Sequence, residues 1–63
     1  MCQSSAYLIQ DGKQQPLLED VVSVKPEGDK ILLSNIFGEQ ELVDAKIKII
    51  DLLHHKIILE KRA

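Results

Sequence analysis

The sequence predicts a small all-β fold, an SH3-like barrel of about six short strands. Short apolar runs are separated by turn signals at the spacing typical of all-β proteins. The runs are rich in Val, Ile and Leu, while the chain has one Tyr, one Phe and no Trp, so aliphatic side chains have to build the core. With 63 residues, 44% of them hydrophobic and 29% charged, we expect a single small β domain over residues 1–63.

The first half of the chain begins with a predicted hairpin. Ser4 to Gln10 is the first strand, and residues 11–12 (Asp-Gly) form the turn after it, because Gly tolerates positive φ and Asp can bond its own backbone. A short run, Gln14 to Leu18, returns from that turn, and Pro16 within it indicates an edge or a break. Asp20 to Lys25 is the next strand, with three Val in six positions.

The second half of the chain continues the pattern of strands and turns. Residues 26–29 (Pro-Glu-Gly-Asp) predict a tight turn, and Lys30 to Ile36 forms the strand after it. Gly38 marks another turn, and residues 53–55 (Leu-His-His) a later one. The remaining strands are predicted at Gln40 to Val43, Lys46 to Leu52 and Lys56 to Glu60. A helix over residues 46–61 is the weaker alternative, because adjacent Ile pairs favour strands.

Several predicted strands carry apolar residues on both faces. These residues are Val21/Val22, Leu32/Leu33, Ile49/Ile50 and Ile57/Ile58. In a sheet with one solvated face, apolar and polar residues would alternate more strictly along each strand. The predicted strand Lys46 to Leu52 alternates in this way at its beginning, so Ile47 and Ile49 are predicted to share a face. Either some outward residues of a small barrel stay exposed, or a second subunit covers them. The short chain favours the second explanation, because small domains need reinforcement and a lone cysteine cannot form an internal disulfide. We therefore expect a two-fold homodimer.

Charge and hydropathy exclude several classes of protein. The net charge is −2 and the pI is about 5.5, which disfavours nucleic acid as a partner because its phosphates are bound by Lys and Arg. No apolar run approaches the roughly 20 residues that cross a bilayer. Residues 1–10 lack a basic segment followed by an apolar stretch, so no signal peptide is predicted. We expect a cytoplasmic protein without a membrane partner.

Cys2 has the most distinctive chemistry in the sequence. It is the only cysteine and follows Met1 directly, and removal of Met1 would place a thiol and an α-amine on adjacent carbons, ready to chelate a soft or borderline metal. If Met1 stays, the nitrogen donors have to be backbone amides. Two copies meeting at a two-fold axis would supply two thiolates and two nitrogens, a set that suits Ni(II) or Cu(II) in a tetragonal plane. Cys2 is therefore the candidate metal ligand, and a free terminal thiol is the alternative.

The two histidines, His54 and His55, are adjacent in the sequence. Neighbouring residues on a strand point to opposite faces, so both cannot easily bind one ion. They are interpreted as a polar pair in the turn before the last strand, with an auxiliary ligand role for one of them as the alternative, and neither is assigned to a metal. A catalytic Cys–His pair is disfavoured, because so small a domain offers no oxyanion hole or substrate cleft. We therefore predict that the protein is not an enzyme.

The order of these features resembles the CooT family, small nickel-binding accessory proteins for carbon monoxide dehydrogenase. The resemblance implies a cytoplasmic homodimer that binds one Ni(II) through Cys2 and supplies nickel to the maturing dehydrogenase. Only Cys2 carries over as a metal ligand. The matching segments are Met1-Cys2, Asp11-Gly12, Glu19-Asp20-Val21-Val22, Pro26-Glu27-Gly28-Asp29-Lys30, Ile36-Phe37-Gly38-Glu39, Ile50-Asp51-Leu52 and Ile57-Ile58-Leu59.

Two other functions fit parts of the sequence. One is a metal-free interaction module whose barrel edge binds protein or RNA, although the acidic charge disfavours RNA. The other is a redox or catalytic thiol at Cys2, which would react with an alkylating agent in the absence of metal.

Overall fold

The computed structural model describes residues 4–61, which form one six-stranded sheet. The strands are β1 (Ser4–Gln10), β2 (Lys13–Glu27), β3 (Lys30–Asn35), β4 (Gln40–Val43), β5 (Ala45–Asp51) and β6 (Lys56–Lys61). Their order across the sheet is β4-β3-β2-β1-β6-β5, and the sheet curls into a half-barrel. All neighbours are antiparallel except β1 and β6, which run parallel. The predicted all-β class is confirmed, and the helical alternative for the last third of the chain is wrong.

β2 is one strand of 15 residues where the sequence predicted two runs. Its first part, up to Val21, pairs with β1, and its second part, from Val21 onward, pairs with β3. Pro16 lies opposite Tyr7 in the first part, where β2 is hydrogen-bonded to β1 on one side only. Proline is tolerated there, because its missing N–H group can face the unpaired side of the strand. The edge interpretation of Pro16 is therefore confirmed, and the predicted break is wrong. The strand bends further on, at Asp20, which has a φ of 58°.

The concave face of the sheet carries the core. Ala6 on β1 is buried in that core, and Leu8 packs against it. Tyr7 lies on the opposite face, with Lys56 Nζ 5.7 Å from the centre of its ring. The buried core residues are Ala6, Val21, Ile31, Leu33, Ala45, Ile57 and Leu59.

A bulge in β5 reverses the faces of its apolar residues. The register shifts between Ile47 and Ile49, so that Ile47 lies opposite Leu59 and Ile49 lies opposite Ile58. Directly opposed residues share a face, and Leu59 belongs to the core cluster, whereas Ile58 is buried outside that cluster. The prediction that Ile47 and Ile49 share a face is therefore wrong, because one extra residue, Lys48, turns the strand over.

Leu33 offers a direct test of where the core lies. Its side chain is fully buried, and we expect Leu33→Ala to lower the free energy of unfolding by about 3 kcal/mol through lost burial and a residual cavity. Leu42 on the neighbouring β4 is 57% exposed, so Leu42→Ala should cost less than about 1 kcal/mol. Urea denaturation at one fixed protein concentration measures both. Equal costs at the two positions would contradict this placement of the core.

Candidate functional site

The beginning of β1 is held beside the turn between β5 and β6. Ser5 N–H donates a hydrogen bond of 3.0 Å to the carbonyl oxygen of His55, and Ser5 lies opposite Lys56 in the parallel ladder. Cys2, the predicted metal ligand, lies outside the described residues. Two peptide bonds join it to Ser4, the first residue of β1.

The turn between β5 and β6 presents apolar side chains to solvent. Leu52 and Leu53 are 78% and 82% exposed, the largest exposed fractions among the large hydrophobic residues of the described range. Ile49 and Ile50, at the end of β5, are also exposed. We call these four residues the apolar hairpin tip. The predicted turn is confirmed, since residues 52–55 link the two strands.

His54 is oriented by Asp51 within this turn. The His54 backbone N–H donates to Asp51 Oδ1 over 3.1 Å, and His54 Nδ1 lies 2.8 Å from Asp51 Oδ2. The hydrogen bond from the His54 side chain, followed by the one from its backbone, lowers the pKa of the Asp51 carboxyl group. His55 is different: it has a φ of 56°, its carbonyl oxygen accepts a hydrogen bond from Ser5 N–H, and its ring has no hydrogen-bond partner among residues 4–61.

A metal site formed by the described residues alone is not present. Within residues 4–61, no three His, Cys, Asp or Glu side chains come together in a way that could hold a metal ion. The same range contains no helix that is long and apolar enough to cross a membrane.

A groove lies where β2 bends. It has a volume of about 720 Å³, and its rim includes Phe37, which is 72% exposed. Four carboxylate residues line it and no Lys or Arg does; the full lining is Pro16, Leu17, Leu18, Glu19, Asp20, Asn35, Phe37, Glu39, Gln40 and Glu41. A groove with this charge repels phosphate groups.

Asn35 fixes the loop that forms one wall of this groove. It is buried, and its Oδ1 accepts hydrogen bonds from the backbone N–H groups of Phe37 (3.1 Å) and Glu39 (2.9 Å). Its Nδ2 donates to Glu39 Oε1 over 2.6 Å. The sequence indicated a turn at Gly38 but did not predict the groove, because β2 and this loop are far apart in the sequence and come together only in the folded protein. A polar Asn at the end of an apolar strand was a second signal for the loop.

Comparison with known proteins places this fold in a family. The model for the family described as "CO dehydrogenase accessory protein CooT" matches residues 1–60. The chain belongs to the CooT family. This confirms the resemblance that the sequence suggested, and the family description gives the role of a CO dehydrogenase accessory protein.

Solved and sequenced relatives agree with membership of the CooT family. A crystal structure assigned to CooT from Carboxydothermus hydrogenoformans is similar with a TM-score of 0.90 and 37% identity, covering 98% of this chain and all of that one. An uncharacterized protein of Methanocaldococcus jannaschii is 33% identical over 60 residues, which are 95% of this chain and 98% of the relative. An uncharacterized protein of Archaeoglobus fulgidus is 42% identical over 43 residues, 68% of this chain and 96% of the relative.

Proposed function

We propose that this CooT-family protein is a cytoplasmic homodimer that captures Ni(II) at Cys2 and delivers it to CO dehydrogenase, and that it is not an enzyme. The family description supports the accessory role. One structural observation supports this proposal: the hydrogen bond from Ser5 to His55 holds the beginning of β1, which follows the candidate ligand by two residues in the sequence, beside the apolar hairpin tip.

The chemistry of Cys2 fits nickel as cargo. A thiolate and a main-chain nitrogen from each of two protomers provide sulfur and nitrogen donors, which Ni(II) accepts in a tetragonal arrangement. Neither protomer holds a complete set. The donors of one protomer can therefore be replaced by those of a receiving protein while the other protomer still holds the ion.

The apolar hairpin tip supports the homodimer. Fully burying one Leu side chain contributes about 1.5–3 kcal/mol, and the tip exposes both Leu52 and Leu53. In a two-fold dimer the same patch meets itself. An axis that passes beside the tip also brings the two copies of Cys2 towards each other, because each is tethered to the beginning of β1.

Nickel titration tests the proposed function. We expect thiolate-to-nickel charge-transfer absorption to grow and to stop at one ion per two chains, with native mass spectrometry showing a dimer that carries one nickel. Acidification should weaken binding, because protons compete with the metal for the thiolate. An unchanged spectrum and a metal-free mass would refute the proposal.

The alternative of a metal-free interaction module is favoured by the groove near Phe37. Four carboxylates and an exposed aromatic ring suit a protein segment with basic side chains, and they disfavour RNA. This function requires no metal, so the nickel titration separates it from the proposed one.

A further inference from the structure

The first part of β2 has an open edge. Residues 14–19 belong to the stretch that pairs with β1 on one side, whereas the ladder between β2 and β3 begins only at Val21. One backbone hydrogen bond of 3.1 Å, from Ile36 N–H to the carbonyl oxygen of Asp20, joins β2 to the loop that follows β3. At roughly 3.3 Å per residue, about 20 Å of strand edge therefore has no strand partner within the described chain.

The groove of about 720 Å³ lies along this open edge. β2 contributes the five consecutive residues 16–20 to its lining. Successive side chains of a strand point to opposite faces, so a site that touches five in a row lies at the edge of the strand rather than on one face. The other wall is the loop that Asn35 fixes through two backbone N–H groups. A concave site beside an open strand edge is the geometry with which proteins accept an extended segment as an added strand.

The lining determines the charge of the segment that fits. It holds the carboxylates of Glu19, Asp20, Glu39 and Glu41, and no Lys or Arg of the described range belongs to it. The side chains of Glu19 and Glu41 have no hydrogen bond or ion pair within residues 4–61. Like charges without a counter-charge repel one another, and a cationic segment relieves that repulsion. The exposed ring of Phe37 on the rim suits a guanidinium group, which stacks on aromatic faces.

We propose that this groove binds an extended, basic segment of another protein and adds it as a strand to the open edge of β2. The main chain of the segment hydrogen-bonds to residues 14–19, and its Arg or Lys side chains contact Glu19, Glu41 and Phe37. Pro16 donates no hydrogen bond at this edge, so the carboxylates supply part of the affinity and the edge is less open to indiscriminate pairing. The site acts whether or not nickel is bound, and neither proposal depends on the other.

A fluorescent heptapeptide in which arginine alternates with valine tests the charge of the occupant by anisotropy. We expect saturable binding that weakens as salt rises, and no binding when glutamate replaces arginine in the peptide. Glu19→Gln with Glu41→Gln should weaken binding at least about fivefold, because two charge contacts are lost. Failure of the arginine peptide to bind the parent protein would overturn the proposal.

The matched control removes two carboxylates elsewhere on the protein. Glu27 and Asp44 are exposed and lie outside the groove lining, so Glu27→Gln with Asp44→Asn changes the net charge by the same amount. This variant should bind the arginine peptide as the parent does. Equal weakening by the two double variants would show a general attraction to an acidic protein and would refute the groove as the site. Circular dichroism checks that both variants keep their fold.

Two N-methylated versions of the arginine peptide test strand addition. An added strand bonds to its neighbour through every second residue, so methylating one alternate set of backbone nitrogens should abolish binding and methylating the other set should leave it intact. Equal affinities of the two versions would rule out strand addition. Amide exchange followed by NMR should show that the peptide protects residues 14–19 and leaves Lys46–Asp51 of β5 unchanged. Protection of residues 14–19 that rises with protein concentration alone would identify a second copy of this chain as the occupant and overturn the proposal.

Discussion

Replacing Cys2 by serine is expected to lower nickel affinity by at least about 100-fold, or about 2.7 kcal/mol. A serine hydroxyl stays protonated at neutral pH and offers a hard oxygen in place of the thiolate sulfur that nickel accepts. Stability should change little, because the core of the described sheet is built from residues between Ala6 and Leu59. Chelator competition gives the affinity, and circular dichroism gives the fold.

The control for this substitution is Ser4→Ala at the beginning of β1. It changes a side chain close to Cys2 in the sequence and removes no sulfur, so nickel affinity should stay at the parental value. A Cys2→Ser protein that binds nickel as tightly as the parent would rule out Cys2 as the ligand.

A double substitution, Leu52→Asp with Leu53→Asp, is expected to convert the dimer into a folded monomer. Around a two-fold axis the change places four carboxylates in an interface where four leucine side chains had been, and buried unpaired charges are strongly unfavourable. The fold should survive, because both leucines are about four-fifths exposed within the described chain. Since each protomer then offers only half of the donor set, nickel should bind more weakly and without the two-chain stoichiometry.

The matched control for the hairpin tip is Phe37→Asp. Phe37 is 72% exposed and lies beside the groove, so the same kind of change there should leave the dimer intact. Sedimentation equilibrium at several protein concentrations distinguishes the two variants. If the leucine variant remains a dimer, the interface lies elsewhere on the sheet.

Local signals in the sequence were sufficient for most strands and turns. The turns at Gly12, Gly28 and Gly38 all have glycine at positive φ, a conformation that glycine adopts without strain. Ala6 and Leu8 lie on the same face of β1, as side chains two residues apart on a strand do. These features depend on neighbouring residues, which is why they could be predicted without knowing the partners of any strand.

Features that depend on distant pairing could not be predicted in the same way. The bulge at Lys48 reverses the faces of the residues that follow it in β5. Nothing in the sequence around Lys48 indicates this register shift, because the lysine fits the alternation of polar and apolar residues. The parallel pairing of β1 with β6 joins the two ends of the described range, and no local pattern specifies it. β2 was predicted as two runs, Gln14 to Leu18 and Asp20 to Lys25, because nothing in the sequence shows that one strand continues through the residue with positive φ at Asp20.

The candidate site was predictable in part. The chemistry of Cys2 singled it out, and its role as a nickel ligand stays a prediction. The difference between His54 and His55 depends on the turn that brings His54 onto Asp51, three residues earlier. An Asp at the end of a strand commonly binds the backbone of the following turn, so the spacing was a usable signal. The direction of the His54 ring was visible only in the folded turn.

The parallel pairing of β1 and β6 has a practical consequence for protein engineering. Because the two strands run in the same direction, Lys61 lies at the far end of β6 from the proposed metal site, a separation of about 17 Å for six residues of strand. An affinity tag or fluorescent fusion attached after the described range would start well away from the nickel. The same fusion placed ahead of Cys2 would crowd the donors and the hairpin tip at once.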